Sequence, residues 1–477
     1  MREDKTSGKG MKIDVKSIVK VVGLLYVILI IVGILTYVLP AGRYETTIGS
    51  TGKTAVVPGT FEFIESETRI PWYRWLTAPF ETLFFDSSLM TMYQIIAMLL
   101  LLGGCFKVLD ECGAMAALIK VLIVRFRKRR FLAVCVITLL MMLLSSFFGL
   151  QEEMLILFPI FITFAHAMHW DNRTALSLVL ITTGVGFTCA LLNPLTVGVC
   201  SKLAGVSILD GIWYRAIMFV ILCAITCVFM VRMAKKDEKA AAEDEAADND
   251  GVTKDMITKE EYKKAYLVLA LFGFVLLVVL VFSAVPSLAD LGLGLIIMAA
   301  AFVVGTVVLG RMMIGSFRLW FSAFIKGVKD IAPSIFVIVT AFSIKYIAEK
   351  GDILHTIFYY MSNMLGSFSP YAGILIILGF ILILEFFIPS ATAKASLLIP
   401  LLTLAPIPGI STNVIILAYL LGDGYTNVLY PTCSTLMIGL GLANVSYTYW
   451  IKRTGLFQLL LFATSVLFLW GAIAIGL

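Results

Sequence analysis

The sequence predicts an all-α polytopic membrane protein made of two inverted-topology repeats, each with a re-entrant hairpin and a broken transmembrane helix. Three observations predict it. Of the 477 residues, 60% are hydrophobic and only 14% charged, where a soluble domain carries about 25% charged residues. Apolar runs of about 18 residues or more recur from end to end, the signature of membrane-spanning helices. Landmarks also recur at matched spacings: Gly113 and Glu153 are 40 positions apart, and Gly351 and Ser390 are 39 apart. Gly113 and Pro194 are 81 apart, and Gly351 and Pro431 are 80 apart.

The formal charge of +6 is concentrated in short clusters. No soluble domain is left to carry a basic face, so a nucleic-acid partner is not expected. The clusters read instead as markers of cytoplasmic loops. Residues 1–19 form a basic cytoplasmic N-terminal segment, and 20–233 the first repeat. Helix 20–40 is too long and too closely followed by further spans to be a cleaved signal, so it is read as an uncleaved first span running outward. The polar, Gly/Pro-interrupted stretch 41–86 lies outside, helix 88–109 returns, and 113–124 is an amphipathic stretch along the inner face. Arg125-Phe126-Arg127-Lys128-Arg129-Arg130 is the strongest cytoplasmic mark.

Residues 131–148 and 154–168 are apolar arms of about 15–18 residues around Gly149-Leu150-Gln151-Glu152-Glu153, short for a span of about 20. They predict a hairpin, 131–168, that enters and leaves on the cytoplasmic side. A broken helix, 174–206, follows, interrupted at Asn193-Pro194-Leu195-Thr196, where proline removes a backbone donor. Helix 211–233 returns inward. Residues 234–262 are charged and Ala-rich, predicting a solvated cytoplasmic linker, and 263–286 a connecting transmembrane helix. In the second repeat, 287–477, helix 289–310 precedes a loop marked by Arg311, Arg318, Lys326 and Lys329. Helix 330–348 and an amphipathic stretch, 351–362, come next. The second hairpin, 371–405, turns at Pro389-Ser390-Ala391-Thr392-Ala393-Lys394, and the second broken helix, 412–445, is interrupted between Asn427 and Thr432. A last helix, 454–476, exits. Nine spans and two hairpins place the N-terminus in the cytoplasm and the C-terminus outside.

Irregular backbone at membrane depth is tolerated only where it lines a cavity or is buried in protein. The interruptions therefore nominate the site. Helix ends exposed at a break offer N–H groups to anions and carbonyls to cations. The hydroxyls of Ser390, Thr392, Thr196, Thr426 and Thr432 and the amides of Asn193 and Asn427, with Pro194 shaping the first break, are the candidate substrate or ion ligands. Glu152, Glu153 and Asp423 are the sharpest candidates, as coupling sites or counter-charges for an amine, against a structural ion pair with Lys394 or Lys345. Three acids and one nearby lysine, Lys394, favour a cation or zwitterion over a dianion. Na⁺ near Asn193 and Asn427, or H⁺, is the expected coupling ion.

Weaker patterns carry less. His166 and His169 lack a third ligand for a metal. Ser390 and Lys394 do not have the spacing of a serine–lysine dyad, so no enzyme activity or cofactor is expected. The eight cysteines stand singly, without CxxC, as packing residues. Trp72, Trp75, Trp320 and Trp450 lie near helix ends, where interface belts form.

Several motifs carry a family likeness. Leu39-Pro40-Ala41-Gly42-Arg43-Tyr44-Glu45, Gln151-Glu152-Glu153, Leu192-Asn193-Pro194-Leu195-Thr196-Val197-Gly198, Phe387-Ile388-Pro389-Ser390 and Gly422-Asp423-Gly424-Tyr425-Thr426-Asn427 resemble those of YfcC-like proteins. These belong to the C4-dicarboxylate anaerobic carrier grouping of the ion transporter superfamily. The likeness spans nearly the whole chain apart from the linker. It implies a homodimer with scaffold and transport domains, elevator-type movement, and substrate held between two hairpin tips and two helix breaks. The second tip departs from the small Gly/Ser-rich run expected there, bringing in Lys394.

Residues and resemblance together predict a secondary active transporter in a bacterial cytoplasmic membrane, moving an amino acid or a C4-dicarboxylate-type carboxylate by ion coupling or exchange. Its partners are the substrate and membrane lipid. The alternative, an ion channel, should show a continuous polar helix stripe or a repeated filter; a non-transporting membrane protein should show a catalytic or sensor constellation. Neither pattern is visible.

Overall fold

The computed structural model describes residues 15–48, 54–57, 59–64, 70–86, 89–126, 129–244, 257–284, 294–365, 368–404 and 409–477. Most of the predicted N-terminal segment, Arg127 and Lys128, the middle of the linker, the end of predicted helix 263–286, the start of predicted helix 289–310 and part of the second hairpin's flanks lie outside the described residues.

The chain is almost entirely helical. Its helices are α1 (Val15–Val38), α2 (Tyr73–Phe85), α3 (Leu89–Glu111), α4 (Ala114–Phe126), α5 (Arg130–Phe148), α6 (Phe158–Ala167), α7 (Asn172–Thr188), α8 (Val199–Ala204), α9 (Ile212–Asp244) and α10 (Lys259–Ala284). They continue with α11 (Gly294–Ile314), α12 (Phe317–Ile331), α13 (Ser334–Lys350), α14 (Ile353–Leu365), α15 (Pro370–Phe387), α16 (Ala391–Leu404), α17 (Thr412–Asp423), α18 (Ser434–Ala443) and α19 (Tyr447–Ala474). Among the described residues, seven helices are long and apolar enough to cross a membrane, or eight if α12 and α13, bent by 44°, form one span. Both predicted hairpin arms that precede a tip, α5 and α15, are among the seven. The pieces of the broken helices are each too short to be counted.

The same order of elements occurs twice. A long helix (α3, α13), a short amphipathic helix (α4, α14), two arms around a turn (α5–α6, α15–α16), a buried helix that breaks (α7, α17), its second piece (α8, α18) and a long closing helix (α9, α19) follow one another in each half. The first pieces of the two broken helices form the core. Every α7 residue from Thr174 to Thr188 is buried, as is every α17 residue from Val414 to Asp423. A helix apolar on all sides has to be enclosed in this way. They meet glycine to threonine: a Cβ on Gly424 would lie 2.2 Å from the Thr188 backbone nitrogen. Only a residue without a side chain permits that approach.

Local signals explain the boundaries. Asp171 caps α7 by accepting from the Arg173 N–H at 3.2 Å, and Ser411 caps α17 from Val414 at 3.2 Å. Gly149 ends α5 in the left-handed region, φ 72°, its N–H donating to the Ser145 carbonyl.

Four expectations change. The stretch 41–86 is more than a polar loop: it holds two two-stranded antiparallel sheets, 42–43 with 62–63 and 46–48 with 54–56, and helix α2. Alpha-2 lies against α13, where Tyr346 donates to Glu81 at 3.2 Å and Thr82 to Ser343 at 3.2 Å. The predicted basic loop after residue 311 contains α12. Its apolar face packs on α3 so closely that a Cβ on Gly327 would lie 2.2 Å from the Gly103 carbonyl. Lys326 on α12 pairs with Glu111 at 3.1 Å.

The first part of the predicted linker is the end of α9, and it is not fully solvated. Asp237 is buried, pairs with Arg453 at 2.6 Å and accepts from the Asp171 N–H at 3.2 Å. Glu238 accepts from Trp170 at 3.0 Å and from Arg130 at 3.1 Å. A charged, Ala-rich segment can thus be a helix end held by partners from elsewhere. Trp320 and Trp450 are buried rather than at a membrane interface, donating to the carbonyls of Thr306 at 3.1 Å and Val428 at 2.9 Å.

The Pro40–Tyr44 motif is a staple between strand 42–43 and the start of α14. Arg43 makes a two-pronged ion pair with Asp352, its Nη2 at 2.9 Å from each oxygen. Thr356 donates to the Pro40 carbonyl at 2.7 Å, and the Tyr44 N–H donates to His355 Nδ1 at 3.1 Å. Burial lowers the His355 pKa, which matches a ring that must stay neutral at Nδ1 to accept that bond.

Candidate functional site

In the first half, the turn after α5 is clamped to the break after α7. Ser146 Oγ donates to the Cys189 carbonyl at 3.0 Å, while its backbone carbonyl accepts from Leu191 at 3.0 Å and Leu192 at 3.2 Å. Asn193 Oδ1 accepts from the Leu195 N–H at 2.9 Å and so starts the turn Pro194–Gly198 that leads into α8. The side chain of Asn193 also fills the space above Gly149, where a Cβ would lie 2.4 Å from Oδ1. Tip and break thus form one unit.

In the second half, α17 ends at Asp423, a 3-10 turn spans Tyr425–Val428, and α18 starts at Ser434 after Pro431. Tyr447 and Trp450 of α19 hold the carbonyls of Leu429 and Val428 at 2.9 Å each. At the breaks, Asn427 links the second half to the first tip: its Nδ2 donates to the Gln151 Oε1 at 3.3 Å and to the Asp423 carbonyl at 3.1 Å. The first hairpin tip therefore touches both helix breaks, Asn193 through Gly149 and Asn427 through Gln151.

Between these elements lies a cavity of about 260 Å³. Gln151, Glu152 and Glu153 from the first tip, Pro389, Ser390, Ala391 and Thr392 from the second, and Asn427, Thr432, Cys433, Ser434 and Thr435 from the second break line it. Ile95, Phe187, Leu195 and Phe342 give it apolar walls, and Lys345 of α13 completes it. The volume of about 260 Å³ lies just below the usual range for small-molecule sites and suits a single small metabolite.

The polar lining has two characters. Among the described residues neither Glu152 nor Glu153 has an ion-pair partner; Glu153 accepts only the Gln151 N–H, at 3.3 Å. Both are half-buried. Lys345, by contrast, is paired with Glu349 at 3.2 Å and Asp86 at 3.8 Å. The other character is positive. The first turns of α16 and α18 face the cavity with Ser390, Ala391 and Thr392 and with Ser434 and Thr435. Helix N-termini present unsatisfied N–H groups and the positive end of the dipole. Among the described residues, Thr432 Oγ1 and Gln151 Nε2, both buried, have no hydrogen-bond partner.

Of the sequence-nominated residues, the cavity gathers Glu152, Glu153, Ser390, Thr392, Asn427 and Thr432. Asn193 lies against Gly149 of the first tip, Pro194 and Thr196 are in the turn Pro194–Gly198, which packs against α16 and α17, and Thr426 turns its hydroxyl to the Gly422 carbonyl at 2.7 Å. Asp423 and Lys394 are also outside the lining. Both are fully buried and ion-paired at 2.7 Å, and Lys394 pairs as well with Glu385 of α15, 1% exposed. Glu385 escaped the sequence reading because it lies inside the apolar run of α15, four residues before its proline. Ser434 and Thr435 escaped because nothing in the sequence marks the first turn of the second piece. No group of three or more His, Cys, Asp or Glu able to hold a metal ion occurs among the described residues.

A helical protein with several helices long and apolar enough to cross a membrane, and with a polar cavity between broken helices, has an architecture that suits a membrane transporter. The match of residues 19–474 to the model of the DcuC family, C4-dicarboxylate anaerobic carrier, makes the assignment specific: the chain belongs to that family. A protein of Escherichia coli (strain K12) named "Putative basic amino acid antiporter YfcC" is 25% identical over 95% of this chain and 96% of its own length. An uncharacterized protein of Haemophilus influenzae is 23% identical over 75% of this chain and 71% of its own. The crystal structure of the Alcanivorax borkumensis YdaH transporter superposes with a TM-score of 0.44, at 16% identity, over 96% of this chain and 98% of that one.

Proposed function

We propose that the protein is a secondary active transporter of basic amino acids in a bacterial cytoplasmic membrane. The observation that carries this reading is the pair Glu152 and Glu153, both facing the cavity and neither ion-paired among the described residues. L-Arginine or L-ornithine brings two cationic groups for these two acids. Its carboxylate fits the first turns of α16 and α18, with the Thr432 hydroxyl as a further donor. A dicarboxylate would set two negative groups against two more unless protons intervened. The name carried by the Escherichia coli relative agrees with this reading, while the family's name favours carboxylates.

The two halves are read as inverted repeats, with 131–168 and 371–405 as re-entrant hairpins and the N-terminus in the cytoplasm. Each broken helix leans on its own hairpin: a Cβ on Gly186 would lie 2.6 Å from the Met142 carbonyl of α5, and one on Gly422 2.5 Å from Ile381 of α15. Such tight units favour rigid-body, elevator-type movement of the tips and breaks together, in a homodimer.

A thermal-shift measurement on the detergent-purified protein tests the substrate class. Binding to the folded state raises apparent stability by mass action. L-Arginine or L-ornithine should raise Tm, and Glu153→Gln should remove the shift. A rise with succinate or fumarate and none with the basic amino acids would refute the reading.

A further inference from the structure

Behind the second tip, Lys394 stands between two carboxylates, Glu385 and Asp423, and none of the three is more than 1% exposed. Among the described residues both acids find their ion-pair partner in Lys394 alone. With all three ionised, one positive and two negative charges leave a net −1 in a dry interior, an arrangement whose desolvation is not repaid. Other titratable groups facing the cluster do not balance it. Cys200 of α8, Cys433 before α18 and Tyr419, whose ring lies 5.7 Å from the lysine Nζ, are uncharged when protonated. Arg215 of α9 donates to the Ile208 carbonyl, and among the described residues the ion pairs of the two acids are with Lys394.

A proton on one carboxyl oxygen closes the balance. A Na⁺ ion would do so only by sitting beside the ammonium, which already lies 2.7 Å from Asp423 and would repel it. A proton needs no such space.

The placement argues against a purely structural ion cluster. Glu385 is in the last turn of α15 and Asp423 ends α17, at the negative poles of their helices, while Lys394 is in the first turn of α16, at a positive pole. All three oppose the local helix dipole. The cluster is also wired to the cavity. The Lys394 N–H donates to the Ser390 carbonyl at 3.0 Å, and the Asp423 carbonyl accepts from Asn427, which in turn holds Gln151 beside Glu152.

We propose that the Glu385–Lys394–Asp423 cluster is a proton-binding site, and that the ion moved by the transport cycle is H⁺, carried on one of these two carboxyls. The inference rests on the transporter reading above and names its coupling ion.

Glu385→Gln and Asp423→Asn test it. Each leaves one ammonium and one carboxylate, so each variant stays charge-balanced and folded but has no reason to take up a proton. Purified protein is reconstituted into liposomes carrying an internal pH dye. Exchange of labelled L-arginine establishes transport, and the dye reports proton movement when an arginine gradient is imposed. Proton movement in the wild type and its loss in both variants are expected. Retention in either variant, or arginine exchange by the wild type without proton movement, overturns the coupling site while leaving the substrate reading intact. If the wild type does not exchange arginine, the substrate reading fails, and infrared spectroscopy of the same protein decides the cluster on its own. A protonated-carboxyl band lost in both variants supports it; absence of such a band, or its survival in either variant, overturns it.

Discussion

The two hairpin tips occupy corresponding places in the two halves but handle charge in opposite ways. The first tip turns Glu152 and Glu153 toward the cavity without an ion-pair partner among the described residues, whereas the second turns away its one cation, Lys394, and holds it between Glu385 and Asp423. What the second tip presents to the cavity is neutral: Ser390, Thr392 and the start of α16. Repeated elements of one shape thus give the site polarity, with carboxylates on one side and helix N-termini on the other. Such polarity suits a molecule that itself carries separated charges.

Breaking the buried side of the comparison should have the largest effect. Lys394→Met leaves Glu385 and Asp423 without their cation in the interior, and removing one partner of a buried pair costs about 3–5 kcal/mol. The variant should therefore be recovered poorly or with a sharply lower Tm. The triple change Lys394→Met, Glu385→Gln, Asp423→Asn should restore much of that stability, measured as Tm in detergent.

The open side should respond in function rather than stability. Glu153→Gln removes a charge-assisted contact worth about 1.5–3 kcal/mol, so the apparent KM for L-arginine should rise on the order of 10- to 100-fold with Tm within about 2 °C of the wild type. A lost fold instead of a lost affinity would make the acids structural.

The contact between halves comes next. Gly424→Ala sets a methyl 2.2 Å from the Thr188 nitrogen. Overpacking of this kind costs about 1–3 kcal/mol, to be read as a lower Tm together with slower transport.

The smallest effect belongs to the outer staple. Neutral His355 accepts the Tyr44 N–H, and burial holds its pKa below the ordinary value. The unfolded chain then binds the proton first, so the stabilisation is complete above the unfolded pKa of about 6.5 and falls as the pH drops through the folded value. The Tm should decrease modestly from pH 8 to pH 5, and less so in His355→Gln.

Much of this was legible in the sequence because the membrane imposes strong rules. Long apolar runs mark helices, and a Gly-Leu-Gln-Glu-Glu or Asn-Pro interruption within them marks a turn that must be enclosed. Six of the nominated residues meet in one cavity for that reason. What the pattern could not reveal was pairing. Whether Asp423 faces substrate or Lys394 depends on the rotation of α17 against α16, and Glu385 is indistinguishable from its apolar neighbours until α15 is packed. Likewise Asp237 and Glu238 look like linker charges until Arg453, Arg130 and Trp170 arrive from distant parts of the chain.

On this reading Glu152 and Glu153 of the first tip, without an ion pair among the described residues, select a basic amino acid. The most direct test is uptake of labelled L-arginine and labelled succinate into liposomes reconstituted with the purified protein, each with Glu153→Gln in parallel. Arginine uptake that is lost in the variant, with no uptake of succinate, is the expected result. Succinate uptake without arginine uptake would contradict it.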